Sequence, residues 1–151
     1  MTAIQTGQPY TVTIRSDIAN TMNSGYRGVS ATRDRAGYMR PNLVGDPTLP
    51  NPTPALWFNK AAFAVPALYT FGNLGRHRMR GDWTRNFDLS LFRQFRIRES
   101  KRVEFRAEAF NAFNTPVFAV PTEEYLNPNF GKVLGTRLRP RQLQLGLKIV
   151  F

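Results

Sequence analysis

Arg141-Gln-Leu-Gln-Leu-Gly-Leu-Lys-Ile-Val-Phe151 alternates polar and apolar residues almost without fault. Successive side chains of an extended strand point to opposite faces. Leu143, Leu145, Leu147, Ile149 and Phe151 therefore share one face, and Gln142, Gln144, Gly146 and Lys148 share the other, where Val150 is the apolar exception. A strand of about 9–11 residues, apolar outside and polar inside, is the unit of a sheet that closes on itself within a bilayer. The pattern predicts such a strand over 140–151, with its aromatic residue at a membrane interface.

Two further runs carry the same period. Over 86–97, Phe87, Leu89, Leu91, Phe95 and Ile97 fall on one face, interrupted by Arg93. Asn86, Asp88, Ser90, Gln94 and Arg96 fall on the other, with Phe92 out of place. The tetrapeptide Arg98-Glu-Ser-Lys101 separates this run from 102–113. There Val103, Phe105, Ala107, Ala109 and Phe113 oppose Arg102, Glu104, Arg106 and Glu108. Alternating runs joined by a short polar turn read as a β-hairpin. Ala, Glu and Arg also favour helix, but a period of two shared with the neighbouring run favours strand. A fourth, weaker strand is expected at 9–15, rich in β-branched residues. The apolar faces are expected to meet lipid and the polar faces an aqueous lumen.

Connection lengths supply an independent test. Between the expected strands lie long irregular segments at 16–85, which holds Pro41, Pro47, Pro50, Pro52, Pro54 and Pro66, and at 114–138. Outer-membrane barrels have short periplasmic turns and long extracellular loops. With Phe151 on the periplasmic side, the short turn 98–101 is periplasmic and both long segments are extracellular. The fold class expected is all-β: antiparallel strands and a hairpin from the C-terminal end of a transmembrane β-barrel, with long irregular outer loops.

The chain has 151 residues, a formal charge of +11 and no cysteine. Its length predicts one domain, and it has no run of about 18 apolar residues that would make a spanning helix. A strongly basic chain points first to nucleic acid. Yet Arg102, Glu104, Arg106 and Glu108 alternate in sign, and Arg96, Gln94 and Asp88 across the turn are placed to pair with them. A polyphosphate-binding face would not alternate, so no nucleic-acid partner is expected. The basic cluster Arg76-His-Arg-Met-Arg80 is suited to lipopolysaccharide or an acidic ligand. His77 is the sole histidine, and a triad with Asp82 and Ser90 would rest on residue type alone. Glu123 and Glu124, adjacent on a loop, are expected to point apart. No catalytic, cofactor-binding or metal residues are predicted. Trp83, Phe87 and Phe113 lie where an aromatic girdle would sit. The first residues show neither the basic nor the apolar part of a secretory signal, so the chain is expected to be the tail of something longer.

Several motifs, taken in order, carry a resemblance. They are Thr6-Gly-Gln-Pro-Tyr10, Arg40-Pro-Asn-Leu-Val-Gly-Asp-Pro47, Trp57-Phe-Asn59, Ala62-Phe63 and Phe71-Gly-Asn-Leu-Gly-Arg76. Asn86-Phe-Asp-Leu-Ser-Leu-Phe92, Phe105-Arg-Ala-Glu-Ala-Phe-Asn-Ala-Phe-Asn-Thr-Pro116 and the closing run from Pro140 to Phe151 continue it. Together they resemble TonB-dependent receptors of the large Oar-like type, which often carry a carboxypeptidase-regulatory-like domain. The resemblance implies the closing strands of a barrel of about 22 strands, with a plug and a TonB-contacting segment upstream. It implies energy-coupled uptake without enzymatic activity, and a signal for the barrel-assembly machinery at Phe151, Ile149, Leu147, Leu145 and Leu143. The partners implied are outer-membrane lipid and lipopolysaccharide, that machinery, the remaining strands and plug, and TonB through upstream domains. Four expected strands are too few to close even the smallest barrel of about eight. The rival readings are a porin-like or adhesive outer-membrane barrel and, from a different class, a small soluble basic β-protein that binds nucleic acid.

Overall fold

The computed structural model describes residues 1–20, 38–98 and 101–151. Residues 21–37 of the expected outer loop, and 99 and 100 of the hairpin turn, lie outside the described residues. In chain order the strands are β1 (Thr2–Gln5), β2 (Pro9–Tyr10), β3 (Ile14–Arg15), β4 (Tyr38–Met39), β5 (Asn42–Leu43), β6 (Phe63–Ala64), β7 (Met79–Arg80), β8 (Thr84–Phe87), β9 (Leu89–Arg96), β10 (Arg102–Phe110) and β11 (Gln142–Val150). A 3-10 turn, Lys60–Ala62, precedes β6. All named pairings are antiparallel. The chain divides into two units: Met1–Thr6 with Trp83–Val117 and Thr136–Phe151, and Gly7–Asp82 with Phe118–Gly135.

The first unit is built on the sheet β11-β10-β9. Arg98 and Lys101 exchange backbone hydrogen bonds of 3.2 Å, which closes the hairpin. From there β10 runs against β9 from Arg102↔Arg96 to Ala109↔Leu89, and against β11 from Arg102↔Val150 to Phe110↔Gln142. Neither ladder slips, so residue parity is conserved across all three strands. Leu89, Leu91, Arg93 and Phe95 thus share a face with Val103, Phe105, Ala107 and Ala109, and with Leu143, Leu145, Leu147 and Ile149. A slip of one residue in any strand would have turned its whole apolar set over. Leu143, Leu145 and Leu147 are 72, 74 and 68% exposed. A contiguous leucine surface of that kind marks a contact with a membrane or a partner.

Four expected boundaries move. The run 86–97 breaks at Asp88 into β8 and β9, and β8 pairs with β1, a strand the sequence pattern did not signal. The strand expected to reach 113 stops at Phe110, because Asn111 adopts φ 47° and turns the chain out of the sheet. The strand at 140–151 narrows to Gln142–Val150. The run at 9–15 is no spanning strand. It splits into β2 and β3, and Tyr10, Val12 and Ile14 are buried in the second unit.

That second unit also revises the expectation of irregular loops. Residues from both long segments pack into one hydrophobic core around Phe58, which is 1% exposed. Its ring meets Phe63 at 5.5 Å and Phe130 at 5.0 Å, both edge to face, the preferred geometry for aromatic pairs. Tyr125 packs edge-on against Phe130 at 5.2 Å. Asn59 caps the 3-10 turn by accepting the Ala61 N–H at 3.1 Å. Two proline- and glycine-rich motifs dock side by side. Asn73 Oδ1 accepts the Leu43 N–H at 2.6 Å, and Asn42 Oδ1 accepts the Asn73 N–H at 3.1 Å. Gly72 permits this approach, since a Cβ there would lie 1.9 Å from the Arg40 carbonyl oxygen.

Phe58→Ala should remove the centre of this core and destabilise the second unit by about 3–5 kcal/mol. Denaturant unfolding followed by Trp57 fluorescence, with Trp83 changed to Phe, would detect it as a lower midpoint.

Candidate functional site

The polar face of the three-stranded sheet is lined from β10 outward. Arg102, Glu104, Arg106 and Glu108 share it with Gln94 and Arg96 of β9 and with Gln142, Gln144 and Lys148 of β11. The charges are neutralised along the strand, which corrects the expected cross-strand pairing. Arg102 Nε lies 2.9 Å from Glu104 Oε1, and Arg106 lies 2.7 Å from Glu108. The register explains why. Arg96 stands directly opposite Arg102, and Arg106 faces Phe92 on one side and Gly146 on the other. Like charges directly opposed repel, so Arg102 turns to the glutamate two residues on, and Arg106, with no charge opposite it, does the same. Glu104, opposite Lys148, extends the alternation of sign to β11.

Asp88 does not join this polar row. One carboxylate oxygen accepts the Asn111 N–H at 2.9 Å and the Asn86 amide at 3.1 Å. Asn111 in turn donates to the carbonyls of Thr115 and Arg139 and accepts the Thr115 N–H at 3.0 Å. Asn114, at φ 52°, accepts the Arg141 N–H at 3.0 Å. Asparagine tolerates left-handed backbone and can bond its own chain locally. The motif Asn111-Ala-Phe-Asn114 therefore leaves β10 and clamps the residues that lead into β11. Phe113 is turned off the strand face, and its ring meets Phe87 edge-on at 5.3 Å. Arg137 donates to the Thr84 hydroxyl beside the same clamp.

The second unit carries an open cavity of about 730 Å³, lined by Tyr10, Thr11, Thr13, His77, Glu123 and Glu124 among others. β3 approaches it, because Thr13 bridges to Glu124 and donates its N–H to the Glu123 carbonyl at 2.9 Å. Glu124 lies 3.9 Å from Arg15. His77 is exposed at φ 54°, with its N–H bound to the Thr11 hydroxyl at 2.8 Å. Arg76 and Arg78 are exposed around it, whereas Met79 between Arg78 and Arg80 is buried. Asp82 accepts the Phe118 N–H at 2.9 Å. Among the described residues no group of three or more His, Cys, Asp or Glu is placed to hold a metal ion. Among the described residues the buried Tyr10 hydroxyl has no hydrogen-bond partner. Burial first, and the Glu123 charge second, push its phenol well above the ordinary range, while partial desolvation raises the Glu123 carboxyl. The cavity is open to a ligand of small-molecule size.

Sequence reasoning found the sheet faces and missed the clamp and the cavity. The clamp had a signal in two asparagines spaced three apart before Thr-Pro. The cavity had none, because its walls come from residues more than a hundred positions apart.

Tyr10→Phe should leave stability at pH 7 unchanged or higher, since it deletes an unpartnered buried hydroxyl. A raised folded-state pKa means that the unfolded chain loses its phenolic proton first, so stability falls as pH rises past about 10. The variant should show a shallower fall in thermal midpoint above that pH. A loss of more than about 1 kcal/mol at pH 7 would instead reveal a hydrogen bond at Tyr10.

The model of one protein family, described as an outer membrane beta barrel domain, matches residues 1–144. No curated protein and no solved structure matches the chain.

Proposed function

The chain belongs to the outer membrane β-barrel domain family and so to the bacterial outer membrane, and from that premise we propose that it forms closing strands and outer loops of a TonB-dependent transporter. In this reading the face of Leu89, Leu91, Phe95, Val103, Phe105, Leu143, Leu145, Leu147 and Ile149 meets lipid, with Ile97 and Phe151 at its periplasmic rim. The face of Glu104, Arg106, Glu108 and Gln144 lines the lumen. Phe151 and the alternating residues before it are the segment engaged by the barrel-assembly machinery. The plug, the remaining strands and the contact with TonB belong to other parts of the same protein.

The observation that carries the reading is the folded body made by the two outer segments. Loops that only cap a passive pore need no shared core, whereas Phe58, Phe63 and Phe130 join residues of both segments in one. A packed loop body with an open cavity suits capture of a scarce substrate before energy-driven passage. The ordered series of motifs supports the same family. The charge pattern supports it too, because alternating ion pairs on the polar face leave a hydrated wall without a run of positive charge. The reading assigns no chemical step to the chain.

Two experiments test this. The reading frame upstream of Met1 should encode a plug domain, and uptake in cells should stop when TonB is deleted. Uptake that persists without TonB would point to a porin-like barrel instead. Face assignment is tested separately by folding into liposomes. Leu145→Arg should cost on the order of 2–4 kcal/mol near the bilayer midplane, and Gln144→Arg far less. Equal losses would contradict the assignment.

A further inference from the structure

Within β9, β10 and β11, Arg93 is the one charged residue on the apolar face. It stands level with Phe105 and Leu147, between Leu91 and Phe95. A charge at such a depth is costly and marks a function by default. Among the described residues no counter-ion is placed beside it, since the carboxylates of β10 lie on the opposite face and are engaged by Arg102 and Arg106.

The direction of the side chain is informative. The guanidinium sits 5.8 Å from the centre of the Phe95 ring, the next residue on that face toward the turn. The Arg93 head therefore lies against its neighbour on the turn side. Four residues of strand separate Arg93 from Ile97, about 13 Å of chain and about 9 Å of depth at a tilt near 45°. An arginine stem laid along an aromatic ring brings its head most of that distance, which is how long cationic side chains reach an interface. A second cation waits at the rim. The Ile97 N–H donates to the Lys101 carbonyl at 2.9 Å, which extends the ladder by one pair. By alternation Lys101 then takes the apolar face, below Val103.

We propose that Arg93 and Lys101 together hold the phosphodiester of one phospholipid in the turn-side leaflet, the periplasmic leaflet in the orientation given above. This inference rests on the reading of that face as lipid-exposed. The guanidinium fork matches two phosphate oxygens, and the ammonium adds a point charge at the rim. The acyl chains of the same lipid lie along Phe95, Val103 and Ile149, so one molecule satisfies both the cations and the apolar rows around them. A free phosphate would supply only the first of these.

The test uses the whole barrel, extracted from outer membranes in mild detergent and weighed intact by native mass spectrometry after addition of phosphatidylglycerol. The unaltered protein should keep one phospholipid more than Arg93→Gln, and Lys101→Gln should fall between them. Arg93→Gln removes a charge from the lipid face, so it should fold at least as well, and its heat-modifiable mobility on gels checks this. Diacylglycerol should not be retained, and inorganic phosphate should not displace the bound lipid. Equal phospholipid retention by Arg93→Gln, displacement by inorganic phosphate, or retention of lipopolysaccharide in its place would each overturn the proposal. A spin label at Leu145→Cys separates the two levels. If oxygen reaches the label and a water-soluble nickel reagent does not, the lipid-facing reading stands and the retention result judges Arg93 alone. If the nickel reagent reaches it, the lipid-facing reading fails and takes the proposal with it.

Discussion

Hydrocarbon offers no hydrogen bonds, so each backbone N–H and C=O that enters it must find a partner within protein. The sheet of this chain is organised by that constraint. β10 is satisfied on both sides, by β9 and by β11, over an unbroken register. The parity of side chains follows from the register, and the apolar and polar faces follow from the parity. Even the ion pairs obey it. Because Arg102 is opposed by Arg96 and Arg106 by Phe92, β10 neutralises its own charges lengthwise. Among the described residues the outer edges of β9 and β11 remain unpaired within this sheet.

The same requirement shapes the ends of the strands. Where β10 stops, Asn111 and Asp88 take over the bonds that a further pair of residues would have made. This explains what was legible in the sequence and what was not. A strand interior repeats every two residues, and that repeat placed Phe95, Val103, Phe105 and Leu145 on one face correctly from pattern alone. A strand end has no repeat. Asp88 has the parity of its neighbours, so nothing in the alternation marked it as the point where β8 passes into β9. Phe113 has the parity of Val103, which predicts the same face, yet the left-handed turn at Asn111 intervenes.

The second unit was illegible for a different reason. Phe130 is distant in the chain from Phe58 and Phe63, and the three belong to no period, so their meeting could not be read from spacing. Prolines and glycines there suggested irregular loops, and the backbone is indeed irregular. The aromatic core and the paired asparagines, Asn42 with Asn73, organise it without long strands. Tyr10 and Ile14 show the cost of judging short runs by composition. Their β-branched setting is a real preference for extended backbone, but it is realised in two-residue strands inside a loop body.

The clamp that joins Asn111 to Arg139 and Asn114 to Arg141 acts as a staple across the neck of the excursion between β10 and β11. Its bonds use only residues at the two ends of that excursion. Whatever lies between can lengthen, shorten or be exchanged while the neck stays shut, and β11 will still meet β10 at Phe110↔Gln142. The entropy of closing the excursion is offset at the neck and rises only slowly with its length. A wall built in this way can keep its weave while its outer surface diversifies, so that new ligands are met by substituting loops and the staves stay as they are.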